Sequence, residues 1–296
     1  MSMINNPLVS VVVATYNMGQ YVCLAVDSVL AQDYQNVEVI VVDDGSKDDT
    51  QERLKKYTGN SRVKVFYHPN SGQTVTKNRG LREASGDYIG FCDADNFWLQ
   101  GKLTSQLTLF EKLSGSGVVY GDLQLIDGEG QNLETPQVRR YSGRITGPLL
   151  CDNFVTFNTT LIPRLILDDV GFFDESLRMG IDYDLWLRIS VKYDFYHLPE
   201  KLVGYRIWGG QMSNRTGERF DNFFRLMTNF LERYPDSVTP REIKKGWAYT
   251  YVSRGRWKVS EKKYAAALKD FSIAFRYRPY DLRLWKTFAK LCLGRL

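Results

Sequence analysis

Short runs of apolar, β-branched residues alternate with segments of helical spacing over the first hundred residues. The apolar runs are LVSVVVA at 8–14, VEVIVV at 37–42, VKVFY at 63–67 and YIGFC at 88–92. Runs of this length and composition are typical of strands buried on both faces of a parallel sheet. The intervening helical segments are 20–32, 46–57 and 73–84. This alternation predicts an α/β fold with a Rossmann-like, mostly parallel sheet flanked by helices.

Beyond residue 100 the pattern is mixed. It predicts a helix near 101–113, a strand at 118–120, a polar loop at 127–147 and a helix at 183–192. The last fifty-odd residues are helical throughout, and Ala267, Phe271 and Ala274 have the spacing of the second helix of a tetratricopeptide-like hairpin. An unrelated helical pair is the alternative. We therefore expect one main domain at 1–218 and a helical C-terminal region at 219–296.

Two acidic clusters follow predicted strands. Asp43-Asp44-Gly45-Ser46 comes after the second strand, and Asp93-Ala94-Asp95 comes after the fourth. Ligands gather at the carboxyl ends of parallel strands, so both clusters are expected on one rim of the sheet. Strand alternation would point Asp93 and Asp95 the same way. Magnesium commonly takes one or two carboxylates together with substrate phosphates. The spacing therefore suits a cation on a diphosphate, although turn formation and helix capping remain alternatives.

Composition fits a folded globular protein. Hydrophobic residues make up 43% of the 296 positions and charged residues 25%. The four cysteines form no C-x-x-C pair and are expected to be reduced thiols. The N-terminus lacks a basic segment followed by an apolar one, and no stretch approaches the roughly 20 apolar residues that span a bilayer. We expect a cytoplasmic location.

Positive charge is concentrated at the end of the chain. Residues 241–296 hold 15 Lys and Arg against 4 Asp and Glu, whereas the rest of the chain holds 24 against 30. Cations and apolar residues are interleaved near the end of the chain: Arg276, Arg278, Arg283, Lys286, Lys290 and Arg295 with Trp285, Phe288, Leu291, Leu293 and Leu296. This mixture favours peripheral contact with an anionic membrane surface, and a solvated helical face is the alternative. No nucleic-acid motif accompanies the charge, so we expect no nucleic-acid partner.

Four ordered motifs carry a resemblance to a known family. VSVVVATYN, VIVVDDGSKDDT, SGQTVTKNRGLREASGDYIGFCDADN and DYDLWLRI resemble the family 2 glycosyltransferases of the GT-A fold in sequence and spacing, over roughly residues 7–210. The resemblance implies a donor half at about 7–100, an acceptor half at about 101–218 and a nucleotide-sugar donor, with a UDP-sugar expected.

The resemblance also implies roles for individual residues. Donor binding would fall on Thr15, Tyr16, Asn17, Asp44, Ser46, Arg79 and Asp93. Asp95, together with Asp93, would hold Mg²⁺ or Mn²⁺ on the diphosphate, where the metal stabilises the departing nucleoside diphosphate.

The family's general base usually belongs to a Glu-Asp pair ahead of an apolar helix. Here the corresponding pair is Ile181-Asp182, so Asp182 is the expected base for a displacement that inverts the anomeric carbon. Asp184 is the competing acid, but its place in the first helical turn favours a structural role. Trp208 stands where relatives often carry a histidine; it and Tyr183 are the acceptor-side candidates.

These features predict an inverting glycosyltransferase that acts on a hydroxyl of a glycan or lipid-linked acceptor, in cell-surface polysaccharide or glycoconjugate synthesis. Two other functions remain open. A sugar nucleotidyltransferase would carry a glycine-rich, arginine-containing loop after the first strand, where this chain has Ala14-Thr15-Tyr16-Asn17. A non-catalytic scaffold protein is motivated by the departures at Ile181 and Trp208, because likeness of fold does not determine function.

Overall fold

The computed structural model describes residues 6–113, 116–211 and 216–292. Of the tail residues singled out above, Leu293, Arg295 and Leu296, and the side chains of Arg283 and Leu291, lie outside this description. The chain divides into two compact units. The first comprises Met1–Gly143 and Phe154–Asn214, and the second comprises Arg144–Asn153 and Arg215–Leu296. The division near 218 expected from the sequence stays a prediction.

Strands and helices alternate along most of the chain. The strands are β1 (Val9–Thr15), β2 (Val37–Asp43), β3 (Val63–Tyr67), β4 (Tyr88–Phe91), β5 (Phe97–Trp98), β6 (Val118–Ile126), β7 (Leu161–Pro163) and β8 (Phe195–Arg206). The helices are α1 (Gly19–Leu30), α2 (Thr50–Leu54), α3 (Gln73–Glu83), α4 (Lys102–Lys112), α5 (Thr146–Leu149), α6 (Arg164–Val170), α7 (Ile181–Lys192), α8 (Thr216–Arg233), α9 (Pro240–Ser260), α10 (Tyr264–Tyr277) and α11 (Leu282–Cys292).

In the described residues the strands form one mixed sheet of order β3-β2-β1-β4-β7-β6-β8-β5. Strands β3, β2, β1 and β4 are mutually parallel, so their carboxyl ends share one edge. Strand β7 runs antiparallel to both of its neighbours, and β6 and β8 run parallel to each other. The predicted fold class and the first four strands are therefore confirmed.

Three strands have no counterpart in the sequence pattern: β5, β7 and β8. Strand β8 contains Pro199, Glu200 and Lys201, so its sequence lacks regular alternation. It pairs with β6 through a register shift at Asp122. Pairing with a distant strand, rather than local preference, determines such a strand. Helix α2 is also shorter than the predicted 46–57, because it begins only at Thr50 and residues 55–57 form a 3-10 turn.

Helix α3 lies directly on β1. A Cβ atom added at Gly80 would stand 2.4 Å from Cγ1 of Val12, so only glycine allows this approach without movement of the sheet. The contact brings one face of α3 to the carboxyl end of the parallel strands, where the acidic clusters lie.

Helix α4 buries a lysine in the core of the first unit. The Lys102 ammonium donates to Oε1 of Gln106 at 2.6 Å and to the carbonyl of Thr159 at 3.2 Å, and it lies 4.3 Å from the centroid of the Trp98 ring. The side chain is fully buried. Burial disfavours the charged form and lowers the pKa of Lys102 to about 7.

The second unit is helical. Thr239 and Glu242 form a capping box at the start of α9. Helices α9 and α10 pack together, and a Cβ atom added at Gly255 would stand 2.9 Å from the Phe271 ring. The buried Asp270 receives hydrogen bonds from Arg254 at 2.7 and 2.9 Å. The helical region is confirmed, and its likeness to a tetratricopeptide hairpin stays a prediction.

Helix α11 uses part of its apolar face inside the second unit. Leu284 is buried, and the Phe288 and Trp285 rings contact Phe275 at centroid distances of 5.8 and 4.5 Å. No helix within the described ranges is long and apolar enough to cross a bilayer.

We expect Lys102→Met to raise the free energy of unfolding at pH 7 and to have a smaller effect at pH 10. The unfolded chain keeps this lysine protonated up to its ordinary pKa of 10.5, whereas the folded chain releases the proton near pH 7. Between these values the unfolded state binds more protons, so wild-type stability rises with pH by roughly a few kcal/mol, and methionine removes that dependence. Urea denaturation across this pH range measures it.

Lys112→Met is the matched control, because Lys112 is exposed at the end of the same helix. It should leave the pH dependence unchanged. The assigned pKa would be contradicted if the free energies of unfolding of Lys102→Met and the wild type differed by the same amount at pH 7 and at pH 10.

Candidate active site

A cavity of about 460 Å³ opens at the carboxyl edge of the parallel strands. Its walls come from the ends of β1, β2, β4 and β8 and from the first turns of α3. The lining residues are Ala14, Thr15, Tyr16, Met18, Asp44, Asn70, Gly72, Gln73, Thr76, Lys77, Asp93, Ala94, Asp95, Asn96, Tyr205, Trp208, Gly210 and Gln211. This volume suits a small organic ligand.

Both acids of the Asp93-Ala94-Asp95 segment reach the cavity. They do not do so by strand alternation, and that expectation was wrong. Strand β4 ends at Phe91, and the backbone N–H of Asn96 donates to the carbonyl of Asp93 at 2.9 Å. Residues 93–96 therefore form a turn, which closes around this hydrogen bond.

Asp93 is held on both carboxylate oxygens. The Lys77 ammonium lies 2.8 Å from Oδ1, and the side-chain amide of Asn158 donates to Oδ2 at 2.9 Å. The backbone N–H of Asp93 donates to Oδ1 of the same Asn158 at 2.7 Å. Lys77 also lies 4.5 Å from the centroid of the Phe157 ring. Asp93 thus has a rigid, partly neutralised carboxylate.

Asp95 has a different partner. The indole N–H of Trp208 donates to Oδ2 of Asp95 at 2.9 Å. Burial raises the pKa of the Asp95 carboxyl, the negative charge of Asp93 raises it further, and the indole hydrogen bond opposes both. Asp95 therefore has a neutral hydrogen-bond donor where Asp93 has an ammonium.

Only one acid of the Asp43-Asp44 pair faces the cavity. Asp43 accepts hydrogen bonds from Ser46 and, at 2.7 Å, from the side chain of Gln51. Asp44 lines the cavity and accepts the backbone N–H groups of Ser71 at 2.8 Å and Gly72 at 2.9 Å, together with the Ser71 hydroxyl at 3.0 Å. The loop before α3 thereby orients Asp44.

The donor residues proposed after β1 fall into two groups. Thr15 and Tyr16 line the cavity, and the buried hydroxyl oxygen of Thr15 has no hydrogen-bond partner among the described residues. A ligand atom would satisfy that oxygen. Asn17 and Ser46 lie outside the lining; the backbone N–H of Asn17 donates to Oγ of Ser46 at 2.8 Å, and Oδ1 of Asn17 accepts the N–H of Lys47 at 2.8 Å. They join the two loops that border the cavity.

Lys77, rather than Arg79, is the cation of α3 that lines the cavity. The Arg79 guanidinium instead donates to the hydroxyl of Ser71 at 2.9 Å. Sequence reasoning missed Lys77, although a signal was present: it lies three residues before Gly80, and residues three apart share a helix face. The face that approaches the sheet through Gly80 therefore includes Lys77.

Asp182 and Tyr183 lie in the first turn of α7 and are not among the lining residues of the cavity. The Tyr183 side chain is buried. The segment that precedes α7 is hydrogen-bonded to α3. The Gln73 side-chain amide donates to the carbonyl of Arg178 at 2.9 Å, and the Thr74 hydroxyl donates to the carbonyl of Leu177 at 2.6 Å. Asp184 pairs with Arg188 at 2.8 Å, which agrees with a structural role for that acid.

The chemistry of the cavity fits a divalent cation. Three carboxylates, on Asp44, Asp93 and Asp95, face one ammonium, on Lys77, so the side chains carry net negative charge. Over the described ranges no three His, Cys, Asp or Glu residues come together as a metal site. Oxygen ligands of this kind suit Mg²⁺ or Mn²⁺ when phosphate oxygens and waters complete the coordination.

The mostly parallel sheet, with an acidic turn beside a ligand-sized cavity at its strand ends, is a GT-A type fold, in agreement with similar solved structures. The Glycosyl transferase family 2 model matches residues 10–164. A Rickettsia typhi protein named as an uncharacterized glycosyltransferase is 32% identical over 233 residues, which are 77% of this chain and 73% of that protein. The chain belongs to glycosyltransferase family 2, as its four motifs predicted.

Other similarities are more distant. Chondroitin synthase of Escherichia coli is 30% identical over 234 residues, which are 77% of this chain but 33% of that protein. The structure of S. aureus TarS in complex with UDP-GlcNAc is similar, with a TM-score of 0.69 at 17% identity over 97% of this chain and 92% of that one. The mannosyltransferase PcManGT of Pyrobaculum calidifontis, in complex with GDP-Man and Mn²⁺, has a TM-score of 0.66 at 17% identity, covering 98% and 81%. At these identities the structural similarity shows the fold alone.

We expect Lys77→Met to lower the free energy of unfolding by about 2 kcal/mol, because it leaves the Asp93 carboxylate without its ammonium partner. Arg82→Met is the matched control on the same helix. The Lys77 side chain is 7% exposed, whereas that of Arg82 is 55% exposed in its pair with Glu175. The control should change stability by less than about 1 kcal/mol. Urea denaturation measures both, and equal losses would contradict the assigned importance of Lys77.

Proposed function

We propose that this protein is an inverting glycosyltransferase that moves a sugar from a nucleoside-diphosphate sugar to a hydroxyl of a glycan or lipid-linked acceptor. The observation that carries the proposal is the cavity at the strand ends, where Asp44, Asp93 and Asp95 converge. The named relatives lend support, since one is a chondroitin synthase and another was captured with UDP-GlcNAc. Synthesis of a cell-surface polysaccharide or glycoconjugate is the biological setting we propose.

In this mechanism Asp44 and the residues after β1 bind the nucleoside, and Asp93 and Asp95 would hold Mg²⁺ or Mn²⁺. When bound, the cation would stabilise the negative charge that develops on the leaving diphosphate. PcManGT, whose complex contains Mn²⁺, lends support to this requirement. Lys77 holds Asp93 in place at 2.8 Å. Asp182 accepts the proton of the acceptor hydroxyl as that oxygen attacks the anomeric carbon from the face opposite the leaving group.

We propose uracil as the donor base, from the hydrogen bonding of Asp44. A carboxylate accepts about four hydrogen bonds, and three are donated by Ser71 and Gly72. One acceptor position remains, which matches the single ring N–H of uracil between its two carbonyls. Guanine presents two adjacent N–H groups, and adenine and cytosine present a ring nitrogen that repels a carboxylate. The Thr15 hydroxyl is a donor for one uracil carbonyl.

We expect UDP to bind the full chain in the presence of Mn²⁺, and GDP to bind about tenfold more weakly because one of its N–H donors stays unpaired. Removing Mn²⁺ should weaken UDP binding by more than tenfold, since three carboxylates then oppose the diphosphate. Asp95→Asn should abolish the Mn²⁺ effect, whereas Asp168→Asn, an exposed acid of the same unit, should not. Titration calorimetry measures each affinity.

The variant Asp182→Asn tests the assigned base. It should bind UDP as the wild type does, but the rate at which it hydrolyses a UDP-sugar, with water as acceptor, should be roughly 10²–10⁴-fold lower. If the wild type binds no nucleotide with or without Mn²⁺, the enzyme function is wrong and a non-catalytic role of the domain is favoured.

We further propose that the C-terminal helices contact an anionic membrane surface, which would bring a lipid-linked acceptor to a protein on the cytoplasmic face. The turn before α11 and its first residues carry exposed apolar side chains: Tyr280 is 93% exposed, Leu282 73% and Trp285 51%. Lys286 and Arg276 are exposed nearby along the chain. Exposed aromatic and aliphatic side chains among cations are typical of interfacial helices.

We expect the full chain to sediment with vesicles of phosphatidylglycerol and phosphatidylcholine at low salt. The double variant Tyr280→Ser and Leu282→Ser should bind about tenfold more weakly, because less apolar surface enters the interface. Leu165→Ser, which changes a 78% exposed leucine of the other unit, should bind as the wild type does. If the wild type does not sediment with anionic vesicles at low salt, this membrane contact is refuted.

A further inference from the structure

The end of strand β8 is locked onto the acidic turn. The backbone N–H of Arg206 donates to Oδ1 of Asn96 at 2.9 Å, and its guanidinium Nε donates to the carbonyl of Asp95 at 3.1 Å. The same guanidinium donates to the carbonyls of Asp127 and Gly128 at 3.0 and 2.9 Å. Because Arg206 is buried and its partners lie on two separate segments, the start of the following turn has a defined position.

Trp208 is held in that turn. Its ring centroid lies 6.5 Å from that of Tyr21, and its backbone N–H donates to Oε1 of Gln211 at 3.3 Å. A Cβ atom added at Gly210 would stand 2.2 Å from the indole ring, so glycine is needed for the ring to occupy this place. The turn 206–211 is therefore shaped around the indole, whose N–H reaches Oδ2 of Asp95.

The two acids of the turn are held by different chemistry. Lys77 brings a full positive charge to Asp93, whereas Trp208 brings a neutral donor to Asp95. An ion pair neutralises a carboxylate, but an indole N–H restrains its orientation and leaves its charge in place. In metal sites, ligating carboxylates are commonly hydrogen-bonded by such outer partners, and loss of the partner lowers metal affinity 10- to 100-fold.

We propose that Trp208 is a positioning residue for Asp95: its indole N–H holds Oδ2 and so leaves Oδ1 for the divalent cation on the diphosphate. This inference rests on the proposed function, because it requires that Asp95 bind a cation. It makes Trp208 part of the donor site, in place of the acceptor-side role that its position in the sequence suggested.

The experiment measures Mn²⁺ binding to the full chain in the presence of saturating UDP, by electron paramagnetic resonance of free Mn²⁺. Trp208→Phe keeps a ring in the turn and removes the N–H. We expect it to raise the Mn²⁺ concentration for half-saturation by at least about tenfold. At saturating Mn²⁺ it should bind UDP as the wild type does, a separation that general damage to the fold would not produce.

A further variant makes the result interpretable. Trp285→Phe removes an indole N–H that donates to a carbonyl in the other unit and should have no effect. If Trp208→Phe binds Mn²⁺ as tightly as the wild type or more tightly, the positioning role is wrong and the indole competes with the cation. If the wild type itself binds neither Mn²⁺ nor UDP, both this inference and the proposed function are overturned.

Discussion

The close contact between helix α3 and strand β1 is the constraint on which the site depends. Gly80 rests against Val12, and no larger residue fits there without movement. Because a helix is stiff, this contact helps to set where the rest of α3 lies. The position of α3 brings the Lys77 ammonium within 2.8 Å of Oδ1 of Asp93. It also brings the loop before α3 to Asp44, whose carboxylate accepts the backbone N–H groups of Ser71 and Gly72. Two acids from different strands therefore owe their orientation to one helix.

Buried polar side chains of α3 have a second role. Asn78 exchanges hydrogen bonds with both backbone groups of Phe173, and Thr74 donates to the carbonyl of Leu177. These bonds fasten the segment before α7, and α7 begins with the turn that contains Asp182. Buried side chains that satisfy backbone groups are costly to remove. The same helix thus links the cavity proposed to bind the donor to the residue proposed as base.

The sequence predicts those parts of the fold that local patterns determine. Strands β1–β4 are short β-branched runs, and their shared direction places the acids on one rim. Strand β8 and the contacts of Asp93 and Asp95 escape prediction because they depend on partners far along the chain: Asn158 lies 65 residues from Asp93, and Trp208 lies 113 residues from Asp95. Strand alternation was also extended past Phe91, where β4 ends, into the turn at residues 93–96. Lys77 was recoverable from helix periodicity once Gly80 marked the face of α3 that meets the sheet.

The distribution of charge in the cavity argues for cooperation between cation and nucleotide. Burial and like charge both disfavour ionised carboxylates that stand side by side. The structure relieves this at Asp93 through an ion pair with Lys77, whereas the side-chain hydrogen bond to Asp95 comes from the neutral indole of Trp208. Three carboxylates and one ammonium therefore leave the cavity with net negative charge. A diphosphate alone would add to that charge, and a cation alone would find too few protein ligands. Each partner supplies what the other lacks, so the two should bind together.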